Sequence, residues 1–409
     1  MTGNMTDQRA ERIRGLLSDL IAFDTVSDRS NLPLIAYIES YLASFGIIGR
    51  KIPDESGQKA SLWATIGPED RPGMVLSGHT DVVPVAGQHW TSDPFALIER
   101  DGRLYGRGTA DMKGFVAVCL AMVPEIARAR LTMPIHLAFS YDEEVGCVGV
   151  RPLLRQLSQA GVKPLGCFVG EPTQMQVTIG HKGKHAVRAT FRGHAAHSSL
   201  APSGVNAVEY AAELITEVRR RARELAAHGH RDQLYDVPYT TMLSSIVRGG
   251  TALNIVPDRC AVEFEARGLG IEESRQVTDA VVAWARETIE PAMRQANPDC
   301  GIDFEEILEY PALDMPPEHR LVTLAKQLAG RNSHAKVAFG TEAGLFVSIA
   351  DIPTVVIGPG SIVQAHKPDE YVELSELANC AGFIERLTVY CSDHPDLGEV
   401  GDHRRVDRA

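Results

Sequence analysis

Two histidines and three carboxylates draw attention by where they fall relative to short apolar runs. The run Met74-Val75-Leu76-Ser77-Gly78-His79-Thr80-Asp81 carries His79 just past a predicted strand. Asp111 lies in the glycine-bearing turn Gly106-Arg107-Gly108-Thr109-Ala110-Asp111-Met112-Lys113-Gly114, ahead of a predicted helix. The stretch 136–141 ends in Asp142-Glu143-Glu144, and Cys167-Phe168-Val169 ends in Gly170-Glu171-Pro172-Thr173. Val355-Val356-Ile357-Gly358 leads through a loop to Gln364-Ala365-His366. Taken singly, each has an ordinary explanation. A histidine after a strand is a satisfied polar group, an aspartate before a helix is an N-cap, and adjacent glutamates form a solvated face. Taken together they are ligand-type side chains at strand ends, the edge where open α/β sheets bind. Imidazole nitrogen with carboxylate oxygen suits two divalent ions, zinc first and cobalt as the alternative. Asp111, between the others in chain order, is the natural bridge. His79 and Glu171 are assigned to one ion, Glu144 and His366 to the other.

The elements that must position these groups follow from periodicity. Residues 8–24 and 33–45 carry helical apolar patterns. Gly73–Ser77, Ile135–Ser140, Leu165–Val169 and Thr354–Ile357 read as strands, with helices over Lys113–Arg128, Val150–Gln159 and His319–Ala329. That alternation predicts an α/β fold: a mainly parallel sheet with helices on both faces. The middle differs. Strands over His185–Phe191, Thr241–Val247, Arg259–Arg267 and Ile302–Tyr310 enclose helices over Val205–Ala227 and Ile271–Ala296. The order β-α-β-β-α-β is ferredoxin-like. The expected organisation is therefore a catalytic domain of residues 1–181 and 314–391, an inserted domain of residues 182–313, and a charged, disordered tail at 392–409.

The bulk numbers fit this plan. A chain of 409 residues is long for one core. Its net charge of -12 argues against a nucleic-acid partner. No stretch approaches the roughly 20 apolar residues of a membrane span, and the first residues lack the apolar segment of a secretory signal. Seven cysteines, an odd number without tight spacing, do not form a disulfide framework. A cytoplasmic location is expected. A dinucleotide-binding reading of Gly106-Arg107-Gly108 fails because no third glycine follows at the right spacing.

The motifs Ser77-Gly78-His79-Thr80-Asp81-Val82-Val83-Pro84, Gly106-Arg107-Gly108 through Gly114, Asp142-Glu143-Glu144 and Gly170-Glu171-Pro172-Thr173 resemble a known family. It is the metallopeptidase family that includes aminoacylases, succinyl-diaminopimelate desuccinylase, bacterial glutamate carboxypeptidases and acetylornithine deacetylase. The resemblance runs in order from about residue 10 to 390. It implies that Asp81 orients the His79 imidazole and that Glu143 is the general base. It implies a homodimer through the inserted domain, from which a partner histidine serves as oxyanion donor. In Gly193-His194-Ala195-Ala196-His197-Ser198-Ser199 both His194 and His197 qualify, and His197 is favoured. Asn254 is placed near the scissile group, Arg267 on the substrate α-carboxylate, and the turn of Gly340, Thr341 and Glu342 along the pocket. Lys182 is left as a hinge or a carboxylate contact. The segments Ala196–Ser199, Gly204–Ala207 and Thr341–Phe346 are most similar to the acetylornithine deacetylase branch. That implies hydrolysis of N-acetyl-L-ornithine, a step of arginine biosynthesis, with succinyl-diaminopimelate or another N-acyl amino acid as the alternative substrate.

Overall fold

Met74–His79, Ile135–Ser140 and Gly166–Val169 are strands buried at every position. Such continuous apolar runs belong to parallel sheets covered on both faces. In the computed structural model, which describes residues 2–393, the chain forms two compact units. The first runs through Thr178, resumes over Met315–His334, and again from Leu345. Its sheet has the order Gly49–Pro53, Ala60–Ile66, Ile135–Ser140, Met74–His79, Gly166–Val169, Thr354–Val356. Ala60–Ile66 is antiparallel to both neighbours, and the three pairings from Ile135–Ser140 to Thr354–Val356 are parallel. The register sets His79 opposite Ser140, Ser77 opposite Val169, and Val356 opposite Val169. Four strands therefore end within two residues of each other. His79 is the last residue of its strand rather than the first beyond it.

The helix Lys113–Arg128, almost wholly buried, packs on Thr2–Ala22 and Leu374–Asp393. It fixes the loop that precedes it. A three-stranded antiparallel sheet of Ile98–Arg100, Arg103–Tyr105 and Tyr371–Glu373 joins that loop to the segment that follows His366. Three-residue strands are too short to carry a period, so the sequence does not announce them.

The second unit comprises Ile179–Asp314 and Ala335–Gly344. Its antiparallel sheet has the order Thr241–Gly249, Arg259–Gly268, Gly183–Arg192, Gly301–Tyr310, and carries the helices Ala207–His228 and Glu273–Ala296. This is the expected β-α-β-β-α-β order. Alternation along Arg259–Gly268 turns Val262, Phe264 and Ala266 into a core with Leu214, Val281, Ile289 and Met293. Asn206 starts the first helix, its side chain accepting from the Val208 and Glu209 N–H groups. The segment Ala335–Gly344, expected with the catalytic domain, packs here instead. Lys336 reaches Asp232 and Asp314, and the Gly344 N–H donates to His181. At the other end, the helix Leu374–Asp393 takes in the first two residues of the expected tail; the rest lie outside the described residues. Among the described residues, no helix is long and apolar enough to cross a membrane.

Candidate metal centre

All five expected ligands meet in the first unit, at the carboxyl ends of the parallel strands. His79 Nε2 lies 3.0 Å from Asp111 Oδ1 and 3.8 Å from Glu171 Oε1. His366 Nε2 lies 3.2 Å from Asp111 Oδ2 and 3.0 Å from Glu144 Oε2. Asp111 thus turns one oxygen to each imidazole, the disposition expected of a bridge. Glu143 joins the cluster: His79, Glu143 and Glu171 offer ligand atoms within 4.8 Å of one another, as do His79, Asp111 and Glu144. The second grouping cuts across the expected split, because Glu144 is close to His79 as well as to His366.

The local backbone explains the convergence. Asp142 and His366 adopt φ of 53° and 62°. Such left-handed residues are uncommon and occur where the surroundings hold them. At Asp142 the chain turns directly after its strand, the Asp142 carbonyl accepting from the Val148 N–H, and Lys59 grips the Asp142 carboxylate at 2.6 Å. Gly170, just before Glu171, has no room for a side chain: a Cβ there would sit 2.0 Å from the Phe115 ring. Asp81 differs from expectation. His79 Nδ1–H donates to the Asp81 main-chain carbonyl at 2.9 Å, with the carboxylate 3.5 Å away. That carboxylate is occupied by the Ser27 hydroxyl and the N–H groups of Glu143 and Glu144. Asp81 therefore orients both the imidazole and the two-glutamate turn.

The electrostatics call for cations. With Nδ1–H engaged, a neutral His79 presents its Nε2 lone pair to carboxylate oxygens, acceptor facing acceptor. Glu171 Oε1 is buried and accepts no hydrogen bond. Burial first, and then neighbouring carboxylates, push Glu171 and Glu143 well above the usual carboxylate range and Glu144 up to about 7. Hydrogen bonds to Asp111 and Glu144 raise His366 to about 10. Burial opposes protonation of His79, but Asp111 and Asp81 outweigh it and raise its pKa. Burial likewise opposes ionisation of Asp111, and the two histidines reverse the sign and hold it low. Two dications would balance four carboxylates in one cage, and a nitrogen and oxygen donor set of this kind suits zinc-type ions. The residues fit the group.

The remaining expected site residues belong to the second unit. His197 and Asn254 lie together: the Ser198 N–H donates to the Asn254 carbonyl, and His197 forms a β-bridge with Ile255. Both are exposed, as is His194. Arg267 sits at the far end of the sheet, donating to Glu265 and to the Tyr310 hydroxyl. Gly340 packs against the Tyr310 ring, and Thr341 and Glu342 are buried. The Lys182 ammonium donates to the Tyr239 carbonyl. Other contributors are not evident from the sequence: Ser27, Lys59, Gln88, Tyr310, and above all Glu370. The last stands four residues after His366 in His366-Lys367-Pro368-Asp369-Glu370, and that proximity is the one signal that points to it.

An imidazole–carboxylate cage at the strand ends of an α/β sheet is a candidate metal centre, and the family and relatives that the chain matches make it that of a metal-dependent amidohydrolase. The chain belongs to peptidase family M20/M25/M40, whose pattern matches residues 75–389. It is 34% identical over 359 residues to acetylornithine deacetylase of Proteus mirabilis, covering 87% of this chain and 88% of that protein. Its fold is that of the M20 family metallo-carboxypeptidase Sso-CP2 from Sulfolobus solfataricus, with TM-score 0.74 at 19% identity over 93% of this chain and 99% of the other. The YXEP protein of Bacillus subtilis, described as a dinuclear metal binding peptidase, has TM-score 0.60 at 17% identity over 94% and 98% of the two chains.

Proposed function

We propose that this enzyme hydrolyses the amide bond of N-acetyl-L-ornithine to ornithine and acetate, using two divalent ions held by His79, Asp111, Glu144, Glu171 and His366. The observation that carries the two-ion reading is Asp111, one oxygen toward each imidazole. The dinuclear description of the YXEP protein supports it. The substrate rests on the similarity to acetylornithine deacetylases over most of both chains.

When bound, the ions, zinc or cobalt, lower the pKa of a water and polarise the amide carbonyl. The chain does the rest. Glu143 takes the proton of the attacking water and gives it to the leaving amine. Its turn is held by Asp81, and its Oε1 accepts from Cys147 Sγ at 3.3 Å. His197 supplies the oxyanion donor. Its Nδ1 accepts from the Ser199 N–H at 3.2 Å, so the neutral ring carries its proton on Nε2. Asn254 stands beside it as a second polar contact. Arg267, braced by Glu265 and Tyr310, grips the α-carboxylate with its planar fork. Gly340, Thr341 and Glu342 line the same pocket.

His197 and Arg267 lie at opposite ends of one sheet. Arg192 pairs with Arg259 at the His197 end, and Gly183 with Gly268 at the other. Eight residues of strand from Arg259 to Arg267 span roughly 27 Å, far more than an N-acyl amino acid. A substrate that uses both groups takes them from two copies, which supports a homodimer formed by the second, inserted unit. The edge strand Thr241–Gly249, with exposed Leu243 and Val247, supports the same reading. All seven cysteines are buried and none forms a disulfide, in keeping with a cytoplasmic location. Turnover of N-acetyl-L-ornithine, other N-acetyl amino acids and succinyl-diaminopimelate, measured side by side with zinc or cobalt, tests the substrate. The highest kcat/KM is expected for N-acetyl-L-ornithine; a preference for the succinylated substrate contradicts it.

A further inference from the structure

The carboxylate of Glu370 is 1% exposed and uses both oxygens fully. Oε1 accepts from the main-chain N–H groups of Ala110 and Asp111, at 2.9 and 3.0 Å. Oε2 accepts from the Gly108 N–H at 3.0 Å and from Arg107 Nη1 at 2.6 Å. Arg107 is equally buried, and its Nη2 donates to Gln88 Oε1 at 2.6 Å. Gln88 Nε2 in turn donates to the His366 main-chain carbonyl at 3.0 Å. The guanidinium lies 5.0 Å from the centre of the Trp90 ring, whose Nε1–H also donates to Gln88. The three-stranded sheet brings these loops together, because pairing Tyr371 with Tyr105 sets the Glu370 carbonyl on the Gly106 N–H.

We propose that Glu370 is a positioning residue for the cation centre, fixing the loop that presents Asp111 and, through Arg107 and Gln88, the loop that presents His366. An ion pair serving only to tie two loops needs the Arg107 contact and nothing more. Here three of the four donors are main-chain N–H groups of the Gly108–Asp111 loop, and one belongs to Asp111 itself. Gly108 reaches its N–H to Oε2 with φ of 85°, a conformation that favours glycine. The clasp thereby sets the spacing between Asp111 and His366, on which the second ion depends. The inference rests on the two-ion reading above.

The test is Glu370→Gln. The amide keeps one acceptor oxygen but turns an NH2 group toward either Gly108 and Arg107 or Ala110 and Asp111, donor against donor. Chelator-stripped wild type and variant are titrated with Co2+ by calorimetry, and the visible absorption of the Co2+-loaded proteins is compared. The expected result is a loss of about 10- to 100-fold in affinity for the weaker-bound ion, the range typical of outer-shell partners, with an altered visible spectrum and an unchanged near-UV dichroism of the stripped protein. Wild-type affinity and spectrum in the variant overturn the positioning role. A wild type that binds no Co2+ overturns the two-ion reading instead, so the two failures are distinct. Should Glu370→Gln fail to fold, Gln88→Ala decides, since Gln88 is only partly buried. It is expected to weaken the second ion by about tenfold, and unchanged binding overturns the proposal.

Discussion

Stripping the ions from the centre leaves a protein whose stability falls as pH rises. Glu144 illustrates the size of the effect. Its pKa of about 7 in the folded protein stands above the ordinary 4.5, because it is buried and faces Asp111. A carboxyl that holds its proton more tightly when folded costs nothing below pH 4.5 and progressively more as pH climbs through 7. The step from 4.5 to about 7 is worth ~3 kcal/mol. Glu143 and Glu171, also raised by burial, act with the same sign. His366, raised to about 10, gives stability that is full below 6.5 and is lost toward 10. Its half exposure screens that contribution. Asp111 is held low and adds a constant amount above pH 5. The loaded protein moves the other way, because the ions bind deprotonated ligands. Thermal unfolding of stripped and zinc-loaded protein, followed by circular dichroism from pH 5 to 8, reads the difference. At about 1–2 °C per kcal/mol for a chain of this length, the gap between the two melting temperatures widens by roughly 3–6 °C. A gap that is independent of pH, or that narrows as pH rises, refutes the reasoning.

Replacing Glu143 by Ala should lower kcat by about 10²- to 10⁴-fold while metal analysis still finds two ions per chain; loss of the ions would make Glu143 structural. Mixing His197→Ala with Glu143→Ala subunits should return roughly a quarter of wild-type activity, since half the dimers are mixed and each has one intact site. No recovery after subunit exchange would place His197 in its own subunit's site or outside the reaction.

Much of the centre was legible because parallel strands end together. Once Met74–His79, Ile135–Ser140 and Gly166–Val169 are recognised as continuous apolar runs, their following acids and histidines must share an edge. The second unit was legible for the complementary reason: alternation along Arg259–Gly268 and two long amphipathic helices leave one arrangement. What stayed hidden was set by tertiary pairing. Tyr371–Glu373 is three residues long and carries no period, so nothing local tells that Glu370 meets the Gly108–Asp111 loop. The packing of Ala335–Gly344 with the second unit depends on Lys336 reaching Asp232, about a hundred residues earlier. The Asp81 main-chain contact to His79 is invisible in a pattern that names side chains only.

The central claim is that His79, Asp111, Glu144, Glu171 and His366 hold two cations with Asp111 between them. Anomalous diffraction from crystals of the zinc-loaded enzyme, measured on either side of the zinc absorption edge, tests it most directly. The account predicts two peaks roughly 3.5–4 Å apart, one beside His79 and one beside His366, with an Asp111 oxygen at each. A single peak, or peaks away from these five side chains, contradicts it.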